Sequence, residues 1–129
     1  MTRKILVADG DRRLSQILAG HELVTAHALE EAQRAVERTQ FDMIVVGVHF
    51  DDSRMFDLLR YLQSSGRHGN RPLVCVRSQR FVSPAISIEG LEIAAKTLGC
   101  TLFLDLTWYA DDASGRSAVR RLLEELLSP

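Results

Sequence analysis

Short, continuous apolar runs recur along this chain, and between them apolar residues fall at helical spacing. Residues 4–8 (KILVA), 43–48 (MIVVGV), 73–76 (LVCV) and 101–106 (TLFLDL) are four such runs. Each is rich in β-branched or large aliphatic side chains, the pattern of a strand covered on both faces of a parallel sheet. Residues 22–26 (ELVTA) form a briefer, more polar run that predicts an edge strand. Five helices are predicted between and after these strands. Residues 12–19 present Leu14, Ile17 and Leu18 on one face and stop at Gly20, and residues 28–39 present Leu29, Ala32, Ala35 and Val36. Residues 55–64 and 88–98 follow, the second ended by Gly99. The last helix, residues 113–127, repeats Val119, Leu122, Leu123, Leu126 and Leu127 and has Asp112 or Ser114 as its N-cap. Residues 77–85 lack a clear period and contain Pro84, so a loop is expected there.

Strands alternating with helices imply an α/β fold with a doubly wound parallel sheet and helices on both faces, joined by right-handed crossovers. Sites in such sheets form at the carboxyl ends of the strands. That places candidate chemistry near Asp9-Gly10-Asp11, Gly47-Val48-His49, Arg77-Ser78 and Leu106-Thr107-Trp108. The 129 residues suit a single domain spanning 1–129, with no internal repeat.

Charge and composition narrow the function classes. With 16 basic and 17 acidic residues and a net charge of −1, the chain does not fit a general nucleic-acid binder or a polybasic membrane binder. No apolar run approaches the ~20 residues of a membrane span, so a cytoplasmic protein is expected. Cys75 and Cys100 both sit in apolar runs and are expected as buried small hydrophobes in a reducing compartment. The four histidines show no ligand spacing, and no metal site is expected. No serine has a placed histidine and no Gly-rich phosphate loop is present, which argues against an enzyme.

The stretches ILVADGD (5–11), FDMIVVG (41–47), RPLVCV (71–76) and LGC through Trp108 (98–108) resemble, over essentially the whole chain, the receiver domain of two-component response regulators. The resemblance implies a CheY-like or flavodoxin-like sheet in the order 2-1-3-4-5, a role in a phosphorelay and protein partners in signalling. It also implies five chemical groups at the strand ends. Two adjacent acids hold Mg²⁺, a third Asp accepts the phosphoryl group, a Thr or Ser binds a phosphoryl oxygen, and a Lys neutralises its charge. Here the first acid aligns with Asp9, but the second aligns with Gly10, with Asp11 one further on. The acceptor position aligns with Gly47, the hydroxyl with Arg77 (Ser78 follows), and the lysine with Leu106. A chain with these replacements is expected to be a pseudo-receiver that carries no catalytic residue, has lost or weakened Mg²⁺ binding and uses no other cofactor.

Two further readings stand beside it. One is a flavodoxin-like small-ligand domain using space opened by Gly47, bordered by Asp9, Asp11, His49 and Arg77, with Arg77 able to pair with Asp9 or Asp11. The other is an active receiver whose acceptor has moved to Asp51 or Asp52, residues otherwise expected as a turn and the N-cap of the third helix. For partners, the resemblance points to the face of the fourth helix, fifth strand and fifth helix, including a homodimer. Trp108, Tyr109, Val119 and Arg120 are its candidate contacts. Residues 58–88 contain no acid but hold Arg60, Arg67, Arg71, Arg77 and Arg80, giving +5 between two flanks of −3 each. This is a candidate basic patch for an acidic surface or a phosphate-bearing ligand.

Overall fold

The computed structural model describes residues 2–78 and 87–128. Five strands form one parallel sheet: β1 (Lys4–Ala8), β2 (Glu22–Thr25), β3 (Met43–Gly47), β4 (Leu73–Arg77) and β5 (Leu102–Asp105). Their order is β2-β1-β3-β4-β5, as the resemblance implies, and all are parallel, as the alternation predicts. The three interior strands are buried almost throughout, which explains their unbroken apolar runs, whereas β2 lies at an edge and is half-exposed.

Five helices cover the two faces: α1 (Arg12–Ile17), α2 (Leu29–Arg38), α3 (Met55–Ser65), α4 (Ile88–Thr97) and α5 (Ala113–Leu127). The alternation of side chains across the pleat divides the core in two. Leu6, Ala8, Ile44, Val46, Leu73 and Cys75 point to α2, α3 and α4. Ile5, Val7, Met43, Val45, Val74 and Val76 point to α1 and α5, where Leu14, Val119, Leu123 and Leu127 close the layer. α5 starts where its sequence allows: Asp112 caps it by accepting from Gly115 N. A β-carbon at Gly115 would lie 1.8 Å from the Ala110 carbonyl oxygen, so the chain enters the helix only through glycine at that position.

Two boundaries differ from the sequence reading. Arg77 belongs to β4 rather than to the following loop, because its backbone continues the ladder opposite Asp105. The fifth strand ends at Asp105, and Leu106–Trp108 turn into a short 3₁₀ segment capped by the Asp105 carboxylate. The rest of the predicted loop, residues 79–85 with Arg80 and Pro84, lies outside the described residues.

Candidate functional site

β1, β3, β4 and β5 deliver Asp9, Gly47, Arg77 and Asp105 to the carboxyl edge of the sheet, and the loop after β1 adds Asp11. The space that Gly47 leaves is filled. A β-carbon built on Gly47 would stand 2.5 Å from Asp9 Oδ2 and 2.6 Å from Asp9 Cγ, so the Asp9 carboxylate occupies the place of a side chain at position 47. Asp9 Oδ1 accepts from the Asp11 backbone N–H at 3.3 Å, whereas Oδ2 is buried and takes no hydrogen bond among the described residues. Burial therefore raises the Asp9 pKa above the ordinary carboxylate value, against the pull of the Gly10 and Asp11 amides and of His49.

The cations on this edge are arginines, each with its own acid. Arg13, on the first turn of α1, grips Asp11 through Nη2 at 3.0 Å and also donates to the Ser78 carbonyl at 2.6 Å. One guanidinium thus ties the loop after β1 to the end of β4. Burial works against the Asp11 charge, but the hydrogen bonds and charge of Arg13 outweigh it and hold its pKa below the usual range. Arg77 Nη1 pairs with Asp105 Oδ2 at 2.8 Å, with both side chains nearly nine-tenths buried. Asp105 also accepts from the Thr107 hydroxyl and from the Thr107 amide at 3.0 Å. Thr107 and Arg77 overcome the burial penalty and lower the Asp105 pKa.

This geometry corrects three sequence expectations. Arg77 takes Asp105 as its acid, while Asp11 is held by Arg13, so the suggested pairing of Arg77 with Asp9 or Asp11 is replaced by two separate pairs. The side chain ending β5 beside Arg77 is Asp105 rather than Leu106, which is 2% exposed and sits in the core. A carboxylate therefore stands where the resemblance implies a lysine, and an arginine where it implies a hydroxyl. The space directly over Gly47 is taken by the Asp9 carboxylate, while a cavity of about 130 Å³ bordered by Asp9, Gly10, Asp11 and His27 lies beside it. Arg13 and Asp105 escaped the sequence reading. The available signal was that the runs ending at Arg77 and Asp105 finish with opposite charges on neighbouring strands.

The acids after β3 have another task. Asp51, Asp52 and Ser53 all adopt left-handed backbone, with φ of 46°, 54° and 68°. Aspartate tolerates this region better than most residues, though three in a row remain strained. The turn sends Asp51 back to α2, where Oδ2 accepts from Leu29 N at 2.8 Å. Ala28, at the N-cap of α2, has no side chain able to do this, so Asp51 caps that helix across 22 residues. The expected role as N-cap of the third helix is thereby corrected to the second. Asp51 is engaged away from the Asp9–Gly47 contact. A hard divalent cation prefers several carboxylate oxygens. Here Asp11 is committed to Arg13, Gly10 and Gly47 contribute no side chain, and no group of three or more potential ligands occurs among the described residues. With Gly10 and Gly47 at two of the acidic positions, this edge carries fewer carboxylates than the resemblance implies for Mg²⁺.

The interface candidates separate. Trp108 is 84% exposed and Tyr109 half-buried against the α5 layer. Together with Ile88, Phe103 and Leu122 they border a groove of about 270 Å³ along β5, between α4 and α5. Val119 is 1% exposed and belongs to the core, contrary to the sequence reading. Arg120 turns inward to the Ile17 and Ala19 carbonyls at the end of α1 and pairs with Glu124. The basic patch also breaks up. Arg60 pairs with Asp57, Arg71 with Asp42 and Arg77 with Asp105, acids drawn from outside the acid-free segment. Arg67 is exposed, and Arg80 lies outside the described residues.

No family model matches the sequence, and no curated protein sequence matches it. Solved structures do match its fold. A response regulator from Thermotoga maritima superposes with a TM-score of 0.72 at 16% identity, both chains being covered completely. The chemotaxis response regulator CheY4 of Vibrio cholerae gives 0.72 at 19% identity over 98% of this chain and 99% of that one. The phosphorylated cyanobacterial phytochrome response regulator RcpA gives 0.76 at 15% identity over 98% and 94%. The architecture is that of CheY-like receiver domains.

Proposed function

We propose that this chain is a receiver-type signalling module that acts by binding a protein partner and is not switched by phosphorylation at its strand-end edge. The observation that carries this reading is the Asp9 carboxylate lying where a side chain at Gly47 would be. Position 47 offers no nucleophile, and the neighbouring acid fills its space. Arg77 and Asp105 neutralise one another, so neither is left to bind a phosphoryl group. Arg13 supplies beside Asp11 the positive charge that a metal ion would otherwise bring. The pocket is thus held in one arrangement by its own residues.

Partner binding falls to the surface of α4, β5 and α5. Exposed Trp108 and Ile93, 84% and 67% accessible, are the large apolar side chains left uncovered among the described residues. Trp is the residue most often found at the centre of binding hot spots. No helix among the described residues is long and apolar enough to cross a membrane. The Asp9 carboxylate over Gly47 counts against the small-ligand reading, and the hydrogen bond from Leu29 N counts against Asp51 as a relocated acceptor.

Metal titration tests the pocket directly. Adding MgCl₂ to millimolar concentration while following backbone amide shifts by NMR should leave Gly10, Asp11 and Gly47 without a saturable response. A saturating shift centred on those three amides would overturn the reading.

A further inference from the structure

β2 ends the sheet on one side, and no strand among the described residues pairs with its outer edge. Its inner edge is taken up by β1: Glu22 N donates to Arg3 O at 2.8 Å and Ala26 N to Val7 O at 2.9 Å. Backbone groups alternate in direction along a strand, so the N–H and C=O groups of Leu23 and Thr25 face away from β1. This edge is remote from β5 and from the partner surface assigned above. A free edge of this kind is a template for one more strand.

The ground beside it is hollow and basic. A cavity of about 380 Å³ lies between β2 and α2. Val24, Ala26, Ala35 and Phe41 line its apolar part, and the exposed Arg34 and Arg38, one turn apart on α2, border it together with Glu31. Arg38 also borders an adjoining cavity of about 220 Å³, with Arg67 and Glu37. Three arginines against two glutamates leave the two cavities with an excess of positive charge, and Glu37 is held by the Tyr61 hydroxyl at 3.1 Å. Among the described residues seven other arginines have an acid of their own, whereas Arg34, Arg38 and Arg67 form no ion pair. Arg34 donates only through Nε, to the Glu30 carbonyl at 3.3 Å.

We propose that the outer edge of β2 takes an extended acidic segment of a protein partner as a sixth strand, with its carboxylates meeting Arg34 and Arg38. Main-chain hydrogen bonds to Leu23 and Thr25 supply the pairing. Every second side chain of the added strand projects to the side of the sheet that Val24 faces, into the cavity beside α2. There the stem of a glutamate lies on Val24 while its carboxylate binds a guanidinium. The intervening side chains point to the α1 side, where Leu23 packs and His27 borders the cavity beside Asp9. A small anion would engage the arginines and leave the strand edge unused; an extended acidic segment engages both.

The probe is an octapeptide alternating valine and glutamate, blocked at both ends, titrated into the isotope-labelled chain by NMR. The Leu23 and Thr25 amides should shift saturably, with cross-strand nuclear Overhauser contacts from the peptide to both residues. Arg34→Ala with Arg38→Ala should weaken binding about tenfold through loss of two exposed charge pairs. The same peptide with lysine in place of glutamate should not bind. Thr25→Pro removes an amide that β1 does not use, so the fold should persist while binding is lost. Should that variant fail to fold, the arginine variant, altered only on exposed side chains, decides. The proposal is overturned if millimolar peptide gives no saturable response, or if the lysine peptide binds equally well. It is equally overturned if inorganic phosphate or free glutamate reproduces the shifts at Leu23 and Thr25. A dimer of the chain alone, seen by sedimentation and abolished by Thr25→Pro, would overturn it by giving the edge to a second copy.

Discussion

Asp9 and Gly47 form a unit in which each residue makes sense only beside the other. A carboxylate packed on a bare α-carbon needs glycine there, and glycine in a buried strand is tolerated because that carboxylate fills the gap. Gly47→Ala should therefore destabilise the fold by about 1–3 kcal/mol through overpacking. Adding Asp9→Ala should recover most of that loss, because the two substitutions share one volume. Urea unfolding of both single variants and the double variant measures the coupling; simple additivity would show that the two side-chain positions are independent. The same edge dictates a pH signature. Asp11 and Asp105 have lowered pKa values, so each stabilises the fold above the ordinary carboxylate range, and that contribution disappears as pH falls through the lowered values. Asp9 has a raised value, so its charge works against folding at neutral pH and stops doing so in acid. Asp9→Asn should hence be more stable than the parent at pH 7, with the difference closing as the parent's Asp9 takes up its proton. Chemical unfolding across that range checks it, and a gap that widens toward acid would contradict the assignment.

At the scale of elements, the three interior strands were legible in the sequence because burial on both faces leaves an unbroken apolar run, and the helices because their stripes repeat at helical spacing. The edge residues were not. Arg13 reaches Ser78 across 65 positions and Arg77 reaches Asp105 across 28, pairings that depend on strand register and not on local pattern. Leu106 illustrates the difficulty: an apolar residue after an apolar run reads as more strand, yet the chain turns one residue earlier because Asp105 caps the turn. Asp51 is a further example, since its left-handed turn serves a helix that precedes it in the chain. Asp51→Ala should lower stability by about 1–2 kcal/mol, the usual effect of losing an N-cap, while Asp51→Asn retains most of it. Amide exchange localises the effect, with Leu29 and the first turn of α2 opening first in the alanine variant. Equal loss in both variants would place the contribution of Asp51 elsewhere.

Across the whole molecule, a CheY-like architecture carries at its strand-end edge two separate ion pairs, Arg13–Asp11 and Arg77–Asp105. The net charge of −1 conceals this. Three arginines of the acid-free segment, Arg60, Arg71 and Arg77, are matched by Asp57, Asp42 and Asp105, and Trp108 stands exposed at 84%. On the function proposed for it, this edge stays as it is, without a phosphoryl group. Intact-mass measurement after incubation with acetyl phosphate and Mg²⁺ tests it most directly. The chain is predicted to keep its unmodified mass; a stoichiometric phosphoryl adduct would contradict the account.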